Sequence, residues 1–379
     1  MSEEIPLFEI PWDERDVDNV VDSVTRGGYW AKGPYVSEFE RRIESYLGVE
    51  HALAVNSGTT ALVCALKGHG VGEGDEVIVP SFTFIATANA VALAGARPVF
   101  ADIERETFGL DPASVRDVVT EDTAAIVPVH PYGSACLIDE LAEVAAAADV
   151  PLVEDAAEAL GADYRGRALG TVGDSAALSF CQNKIVPVGE GGAIVTDDDE
   201  LAERVRLWRS HGRASEEYFD DSSTGEYVAF GTNVRMADVV AALGCGQMEK
   251  VESLIEGRRR AARLLGERIE SISHVSPHVE TELGRHVYQL YTVRLDEGVD
   301  RDALIAALGD RGIASKVYWD PPAHLTEHYQ TAYGYTEGTL PVTEAVAGRV
   351  LSLPMHPNLS RDEIDRIGDA LSRAVAAAT

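Results

Sequence analysis

Short apolar runs alternate with helical patterns over the first two thirds of this chain of 379 residues. Apolar residues fill consecutive positions of each run rather than every second one, which indicates strands that are buried on both faces. Strands that alternate with helices favour a mainly parallel sheet with helices on both sides. The runs predict seven strands, at 51–55, 76–79, 97–101, 123–129, 151–154, 176–180 and 193–196, and helices that include 60–67, 86–94 and 138–148.

The pattern changes near residue 250. The stretch 252–272 is rich in arginine and has only a helical signal. Beyond it the sequence predicts the strands 286–295 and 314–319 and the helices 301–311 and 361–377. We therefore predict an α/β fold of two domains. Residues 1–250, with the N-terminal segment, form a large domain around a mainly parallel seven-stranded sheet, and residues 251–379 form a smaller α+β domain.

The charge of the chain is unusual for a globular protein. Asp and Glu number 63 against 32 Lys and Arg, which gives a formal net charge of −31. Such a surface repels nucleic acid phosphates and anionic lipids, so we expect neither as a partner. Two explanations of the acidic charge are open. The protein could bind a cation or a basic partner, or, as we favour, it could be adapted to concentrated salt, which screens the repulsion among its acids. Because only five residues are lysine, a lysine inside a motif is informative.

Neither export nor a metal site is indicated by the sequence. Cys64, Cys136, Cys181 and Cys245 are far apart in the chain, and no pair has metal-ligand or redox spacing. The N-terminal residues are acidic and lack the apolar core of a signal peptide. No apolar stretch has the length needed to cross a bilayer. We therefore expect a cytoplasmic protein without a bound metal or a membrane partner.

A first group of candidate residues follows the early strands, because ligands of an open parallel sheet bind at the carboxyl ends of its strands. Ser57, Gly58 and Thr59 stand there at the start of a helix. Free backbone N–H groups, two hydroxyls and a glycine that permits close approach suit a phosphate, although a serine N-cap explains the same residues. Phe84 follows the next strand and could stack on a planar ring or belong to the core.

Two acids and a lysine follow the later strands. Asp155 and Glu158 come after the predicted strand 151–154. Acids at this position either lie at a helix N-terminus, where negative charge is favourable, or bind a cation such as a protonated pyridine nitrogen. Lys184 lies on a turn between two strands, five residues after Ser179. A lysine there can form a Schiff base with a carbonyl group, and the alternative is a solvated turn residue.

Together these residues meet the requirements of one cofactor, pyridoxal 5′-phosphate (PLP). The start of the first helix and the Ser179 hydroxyl would bind its phosphate. Phe84 would cover its ring, and Asp155 would keep the ring nitrogen protonated, which makes the ring an electron sink. Lys184 would hold the aldehyde.

The order of these motifs resembles that of the DegT/StrS family of PLP-dependent nucleotide-sugar aminotransferases. The resemblance extends from about residue 5 to about residue 372, nearly the whole chain. It includes Asn56-Ser57-Gly58-Thr59, Glu154-Asp155-Ala156-Ala157, Ser179-Phe180 with Lys184, Gly189-Glu190-Gly191-Gly192, Asn233-Val234-Arg235-Met236 and the stretches 33–34, 39–40, 83–87, 95–100, 128–133 and 351–355. It implies the aspartate aminotransferase fold, fold type I.

The resemblance also implies roles for single residues. Lys184 looks like the Schiff-base lysine and the base that moves the proton, and Asp155 looks like the partner of the pyridinium nitrogen. Residues 57–59 and Ser179 look like the phosphate cradle. Asn233 looks like a residue that a second subunit lends to the phosphate, which implies a homodimer with shared active sites.

Three further positions are expected near the site on the same grounds. Glu158 would lie close to the ring hydroxyl, where many relatives carry Gln or His, and a carboxylate there has to be protonated or turned away. Substrate contacts are expected from Tyr318 and His324, which could equally be core or interface residues.

The function that the resemblance implies is transfer of an amino group from an amino acid, with glutamate expected, to the keto group of a nucleotide-linked 6-deoxy sugar, usually for a surface glycan. One alternative is other chemistry on the same fold, either a sugar dehydratase, which Lys184 disfavours because some of these carry histidine instead, or an aromatic amino acid synthase. Further alternatives are a non-sugar aminotransferase and a non-catalytic regulatory protein. The intact set of Lys184, Asp155 and Ser179 disfavours the last of these.

Overall fold

A computed structural model describes residues 4–214, 225–278 and 280–378. The helices in these ranges are α1 Glu14–Thr25, α2 Pro34–Leu47, α3 Gly58–Gly68, α4 Ala86–Ala94, α5 Pro112–Val118, α6 Ile138–Ala148, α7 Asp199–Trp208, α8 Asp238–Glu249, α9 Val251–Ile269, α10 Arg301–Gly309, α11 Glu327–Tyr333, α12 Pro341–Ala347 and α13 Arg361–Ala378. The strands are β1 His51–Val55, β2 Glu76–Pro80, β3 Arg97–Ala101, β4 Thr123–Ile126, β5 Val153–Asp155, β6 Asp163–Tyr164, β7 Arg167–Ala168, β8 Ser175–Ser179, β9 Gly192–Thr196, β10 Val275–Pro277, β11 Tyr291–Leu295 and β12 Val350–Leu353. In this described part of the chain, no helix combines the length and apolar character that a membrane crossing requires.

The large sheet contains the seven predicted strands. Strands β1, β9, β8 and β5 are neighbours in that order, and β4, β2 and β3 form a second group. Parallel bridges from Ile126 to Leu152 and from Val129 to Asp155 join the two groups between β4 and β5. The pairs of β5 with β8, and of β2 with β3 and β4, are parallel, whereas β9 runs antiparallel to both β1 and β8. The prediction of a mainly parallel sheet is therefore confirmed.

Both faces of this sheet are buried, as the unbroken apolar runs predict. Along β1, Ala52 and Ala54 pack in the cluster that contains α2 and α6, whereas Leu53 and Val55 pack in the cluster that contains α3 and α4. Successive side chains of a strand point to opposite faces. A strand between two layers of helices therefore needs apolar residues at every position.

The C-terminal part has its own core and an antiparallel sheet in the order β10, β11, β12. Helices α9, α10 and α13 line this core. Ile5 is buried in the same core and pairs with Ile313, so the N-terminal segment packs on the smaller domain. The boundary between residues 250 and 251 itself stays a prediction.

One predicted strand is wrong. Residues 314–319 form only a single bridge, between Lys316 and Ser352. The apolar and aromatic composition of this stretch arises because Trp319 packs against Phe82 and Tyr132 of the large domain, with ring centroids 5.1 Å apart in both pairs. The segment connects the two domains instead of extending the small sheet.

Candidate active site

Three strand ends meet at one edge of the large sheet. Because β1 and β8 are both antiparallel to β9, they run in the same direction as each other and as β5. Asp155 is the last residue of β5, Ser179 is the last residue of β8, and Ser57 follows β1 after one residue. The topology therefore brings together the three groups that the sequence predicts to form one site.

The predicted phosphate cradle is a tight contact between helix α3 and strand β8. A Cβ atom added to Gly58 would lie 2.8 Å from Cβ and 3.0 Å from Oγ of Ser179, closer than side chains pack. The Ser57 hydroxyl caps α3 and accepts the Thr60 N–H at 3.2 Å. The cap and the cradle are compatible, since the N–H groups of Gly58 and Thr59 in the first turn lack partners within the helix.

Asp155 is a buried acid, and 5 % of its surface is exposed. Its Oδ2 accepts the Thr87 hydroxyl at 2.8 Å, and its Oδ1 accepts the Ala157 N–H at 3.2 Å. Burial raises the pKa of Asp155, and these two hydrogen bonds oppose that shift without cancelling it. A cation at this position would stabilise the carboxylate, which fits a protonated pyridine nitrogen.

Lys184 and Glu158 form an ion pair in the same site. The lysine Nζ lies 3.1 Å from Glu158 Oε1, and the side chains are 14 % and 11 % exposed. The second carboxylate oxygen, Oε2, accepts the backbone N–H of Tyr132 at 3.0 Å. Gln289 fixes the lysine-bearing loop by donating its amide to the carbonyl of Asn183 at 2.6 Å. The lysine is thus held inside the site and is not a solvated turn residue.

Glu154, the acid directly before Asp155, has a structural role. Glu154 is fully buried and faces away from Asp155 because adjacent residues of a strand alternate. It accepts hydrogen bonds from His130 and from the backbone of Gly170, Val172 and Gly173, at 2.7 to 2.8 Å. Burial alone would raise its pKa, but these donors outweigh that effect and lower it. Glu154 therefore holds the loop that leads into β8.

The remaining predicted residues occupy different surroundings. Phe84 is 61 % exposed, so its ring is available to cover a ligand. Asn233 is exposed, and the carbonyl of its neighbour Val234 accepts the N–H of Asn56 at 2.8 Å, beside the cradle. The carbonyl of Tyr318 accepts the Tyr132 hydroxyl at 2.8 Å, which places this residue next to the Glu158 loop.

His324 is the exception among the predicted substrate residues. It is fully buried, and its ring bonds to Ser81 at 2.6 Å and to Glu344 at 3.2 Å. Burial lowers its pKa, although Glu344 opposes the shift. Both ring nitrogens are occupied by structural partners, which argues against a direct substrate contact.

Three residues of the site were not predicted: Thr87, Tyr132 and Gln289. Thr87 and Tyr132 lie inside the matching stretches 83–87 and 128–133, so their position in the motifs was the available signal. Their contacts with Asp155 and Glu158 join residues that are 68 and 26 positions apart. Sequence spacing gives no information about such pairs.

A mainly parallel sheet with a lysine, a buried aspartate and a serine-glycine cradle at one edge defines a PLP-dependent transferase of fold type I. The chain belongs to the DegT/DnrJ/EryC1/StrS aminotransferase family, whose model matches residues 12–372. It is an enzyme, a PLP-dependent sugar aminotransferase.

Known relatives match along nearly their whole length. GDP-perosamine synthase from Caulobacter vibrioides is 40 % identical over 367 residues, 96 % of each chain. The UDP-4-amino-4-deoxy-L-arabinose–oxoglutarate aminotransferase of Shewanella sediminis is 31 % identical, and the match covers 99 % of each chain. Among solved structures, the PLP form of Spr1654, a candidate sugar aminotransferase from Streptococcus pneumoniae, has a TM-score of 0.93 at 28 % identity, with 99 % of this chain and 100 % of that chain covered.

Proposed function

We propose that the enzyme transfers the amino group of glutamate to the keto group of a nucleotide-linked 6-deoxy sugar, as a step in the synthesis of a surface glycan. The observation that carries this proposal is the Lys184 ammonium beside Glu158, at the same sheet edge as the buried Asp155. The two named relatives act on GDP- and UDP-linked sugars according to their names. Oxoglutarate, named for the Shewanella relative, is the keto acid that glutamate leaves behind.

The proposed roles follow from the contacts of each residue. Residues 57–59 and Ser179 would bind the PLP phosphate through the helix start and their three hydroxyls. Asp155, oriented by Thr87, holds the ring nitrogen in its protonated form. When bound, PLP supplies an electron sink that stabilises negative charge on the carbon next to the transferred nitrogen.

Lys184 moves the proton in this scheme. Its Nζ acts first as a general base and then as a general acid: it removes a proton from one carbon beside the transferred nitrogen and delivers it to the carbon on the other side of that nitrogen. Phe84, whose ring is exposed, would cover the ring of PLP. Tyr318 is the proposed substrate contact, because its carbonyl bonds to Tyr132 beside Glu158. His324 is left out of this proposal because its ring is buried and held by Ser81 and Glu344.

Product analysis tests the acceptor. Protein loaded with pyridoxamine phosphate is mixed with a panel of nucleotide-linked keto sugars, and the products are identified by mass spectrometry. We expect an amino sugar from at least one nucleotide-linked 6-deoxy keto sugar. Dehydrated products, or amination only of small keto acids, would contradict the proposal and favour a sugar dehydratase or a non-sugar aminotransferase.

The proposed working form is a cytoplasmic homodimer in which Asn233 reaches the partner's phosphate. Its exposed position, beside the backbone of Asn56, supports this proposal. A mixture of Lys184→Ala and Asn233→Ala subunits would contain dimers with one intact site, and we expect activity to return. Mixing Lys184→Ala with the double variant is the control and should stay inactive. If heterodimers form without recovery, Asn233 does not act across the interface.

A further inference from the structure

The carboxylate of Glu158 has two different partners, one for each oxygen. Oε2 accepts the Tyr132 N–H, and Oε1 lies 3.1 Å from Lys184 Nζ. Tyr132 is held in place, since its hydroxyl is bonded to the carbonyl of Tyr318. Its ring is fully buried and stacks on Trp319. The fixed N–H therefore holds Glu158 so that Oε1 faces the lysine.

An aminotransferase lysine alternates between two conditions. It is tied to the cofactor in one half of the cycle, and it is a free amine in the other half. The free amine has to gain and lose protons in a largely buried position, where a nearby acid can exchange them.

We propose that Glu158 is the proton store of Lys184, an inference that rests on the proposed role of this lysine. When Lys184 is bonded to the cofactor, Glu158 carries a proton on Oε1. When the lysine is released, that proton moves from Oε1 to Nζ, two atoms that lie 3.1 Å apart in this structure, and leaves a carboxylate beside an ammonium group. The reverse transfer frees the amine to act as a base. One proton moves between two atoms, and no other reactant is needed.

The other ionisable groups near Glu158 are unsuited to this exchange. Asp155 is oriented by the Thr87 hydroxyl and the Ala157 N–H and is committed to the ring nitrogen in the proposed scheme. Burial raises the pKa of Tyr318 to about 12, with a contribution from Glu158, and it raises that of Tyr132 as well. Both phenols therefore remain protonated at neutral pH. Glu158 and Lys184 are the pair that is left to share a mobile proton.

The same proton exchange would suit a carboxylate beside the PLP ring hydroxyl, where the family resemblance places Glu158. A charged carboxylate next to the PLP ring hydroxyl would be repelled once that hydroxyl ionises. A protonated Glu158 would instead donate a hydrogen bond there. The proposal thus accounts for both forms of the residue, neutral beside the ring and charged beside the free lysine.

Acetylation of Lys184 in the cofactor-free protein is the test, because acetic anhydride reacts only with the neutral amine. We compare wild type, Glu158→Gln, Glu158→Ala and the control Glu143→Gln, an exposed residue of α6 away from the site. Peptide mass spectrometry follows Lys184, with Lys67 as the internal reference because its amine is bonded to the carbonyls of Val71 and Ala94. We expect Lys184 to react at least about threefold faster in Glu158→Gln, as the loss of a partly buried ion pair predicts, and at the wild-type rate in the control.

The amide variant separates a proton store from a structural role. Glutamine can still accept the Tyr132 N–H, but it cannot give up a proton at this site. If Glu158→Gln reacts like wild type while only Glu158→Ala changes, Glu158 merely shapes the loop and the proposal is overturned. We also expect the pH profile of single turnover with pyridoxamine-loaded protein to move to lower pH in Glu158→Gln. The acetylation result can be read even if no sugar is turned over, so it is independent of the proposed substrate.

Discussion

Lys184 is the residue whose role can be tested most directly. The ion pair with Glu158 and the Gln289 contact place its amine within the site. Purified protein should be yellow, borohydride should bleach the colour, and peptide mapping should find the reduced cofactor on Lys184. Lys184→Ala should retain bound PLP and lose transamination, because the phosphate cradle survives and the proton shuttle does not. A reduced adduct on Lys250 or Lys316 would exclude the assignment.

Asp155 offers a prediction in which activity and stability move in opposite directions. In the cofactor-free protein, burial raises the pKa of Asp155 above its value in the unfolded chain. The unfolded chain therefore ionises first as pH rises, so this residue destabilises the cofactor-free fold at neutral pH and not in acid. Asp155→Asn should raise the melting temperature of the cofactor-free protein at pH 7, with little change near pH 4.

The same substitution should slow the transfer reaction by orders of magnitude, at about 1.4 kcal/mol of transition-state stabilisation for each factor of ten. Single-turnover rates with an amino donor measure this loss, and PLP absorbance checks that the cradle is still occupied. Normal rates in the variant would contradict the proposed role of Asp155 at the ring nitrogen. A melting temperature unchanged at both pH values would contradict the predicted destabilisation by its burial.

At the scale of elements, the proposed phosphate cradle depends on the contact of α3 with β8. Gly58→Ala places a methyl group 2.8 Å from Cβ of Ser179, so the helix start has to move away from the strand. Overpacking of this kind costs about 1–3 kcal/mol. We expect a lower melting temperature and a loss of PLP occupancy, measured by absorbance after gel filtration. Gly72→Ala is the matched control, since its nearest neighbour is the flexible end of Lys67 at 3.9 Å; an equal effect in both variants would contradict the cradle.

Elements with a clear local apolar pattern could be predicted from the sequence, and elements defined by distant contacts could not. Helices α4 and α6 have the predicted bounds, 86–94 and 138–148, because their apolar patterns end at Gly95 and Asp149, both in the left-handed region. The stretch 314–319 was misassigned because its aromatic residues pack on the other domain. The burial of His324 likewise depends on Ser81, 243 positions away, a contact that no local pattern reveals.

At the scale of the whole molecule, the formal net charge of −31 has to be tolerated in the compact state. Without screening, repulsion among exposed acids destabilises both the subunit and the proposed dimer. We predict adaptation to high salt, so the melting temperature should rise steeply with potassium chloride into the molar range. Dilution of the salt should also reduce PLP occupancy, because the phosphate contact of the proposed dimer is lost with the interface.

The competing explanation is a local cluster of acids that binds a cation or a basic partner, and it predicts a different salt curve. Its effect should saturate at modest salt, near where the Debye length falls below about 10 Å. Global repulsion should instead keep responding between roughly 0.1 M and 1 M, a span over which the screening length shortens about threefold. Measuring the melting temperature with neutral sucrose in place of salt is the control for general solvent effects. A curve that is flat over this span would reject adaptation to salt, because repulsion spread over the whole surface has to respond to it.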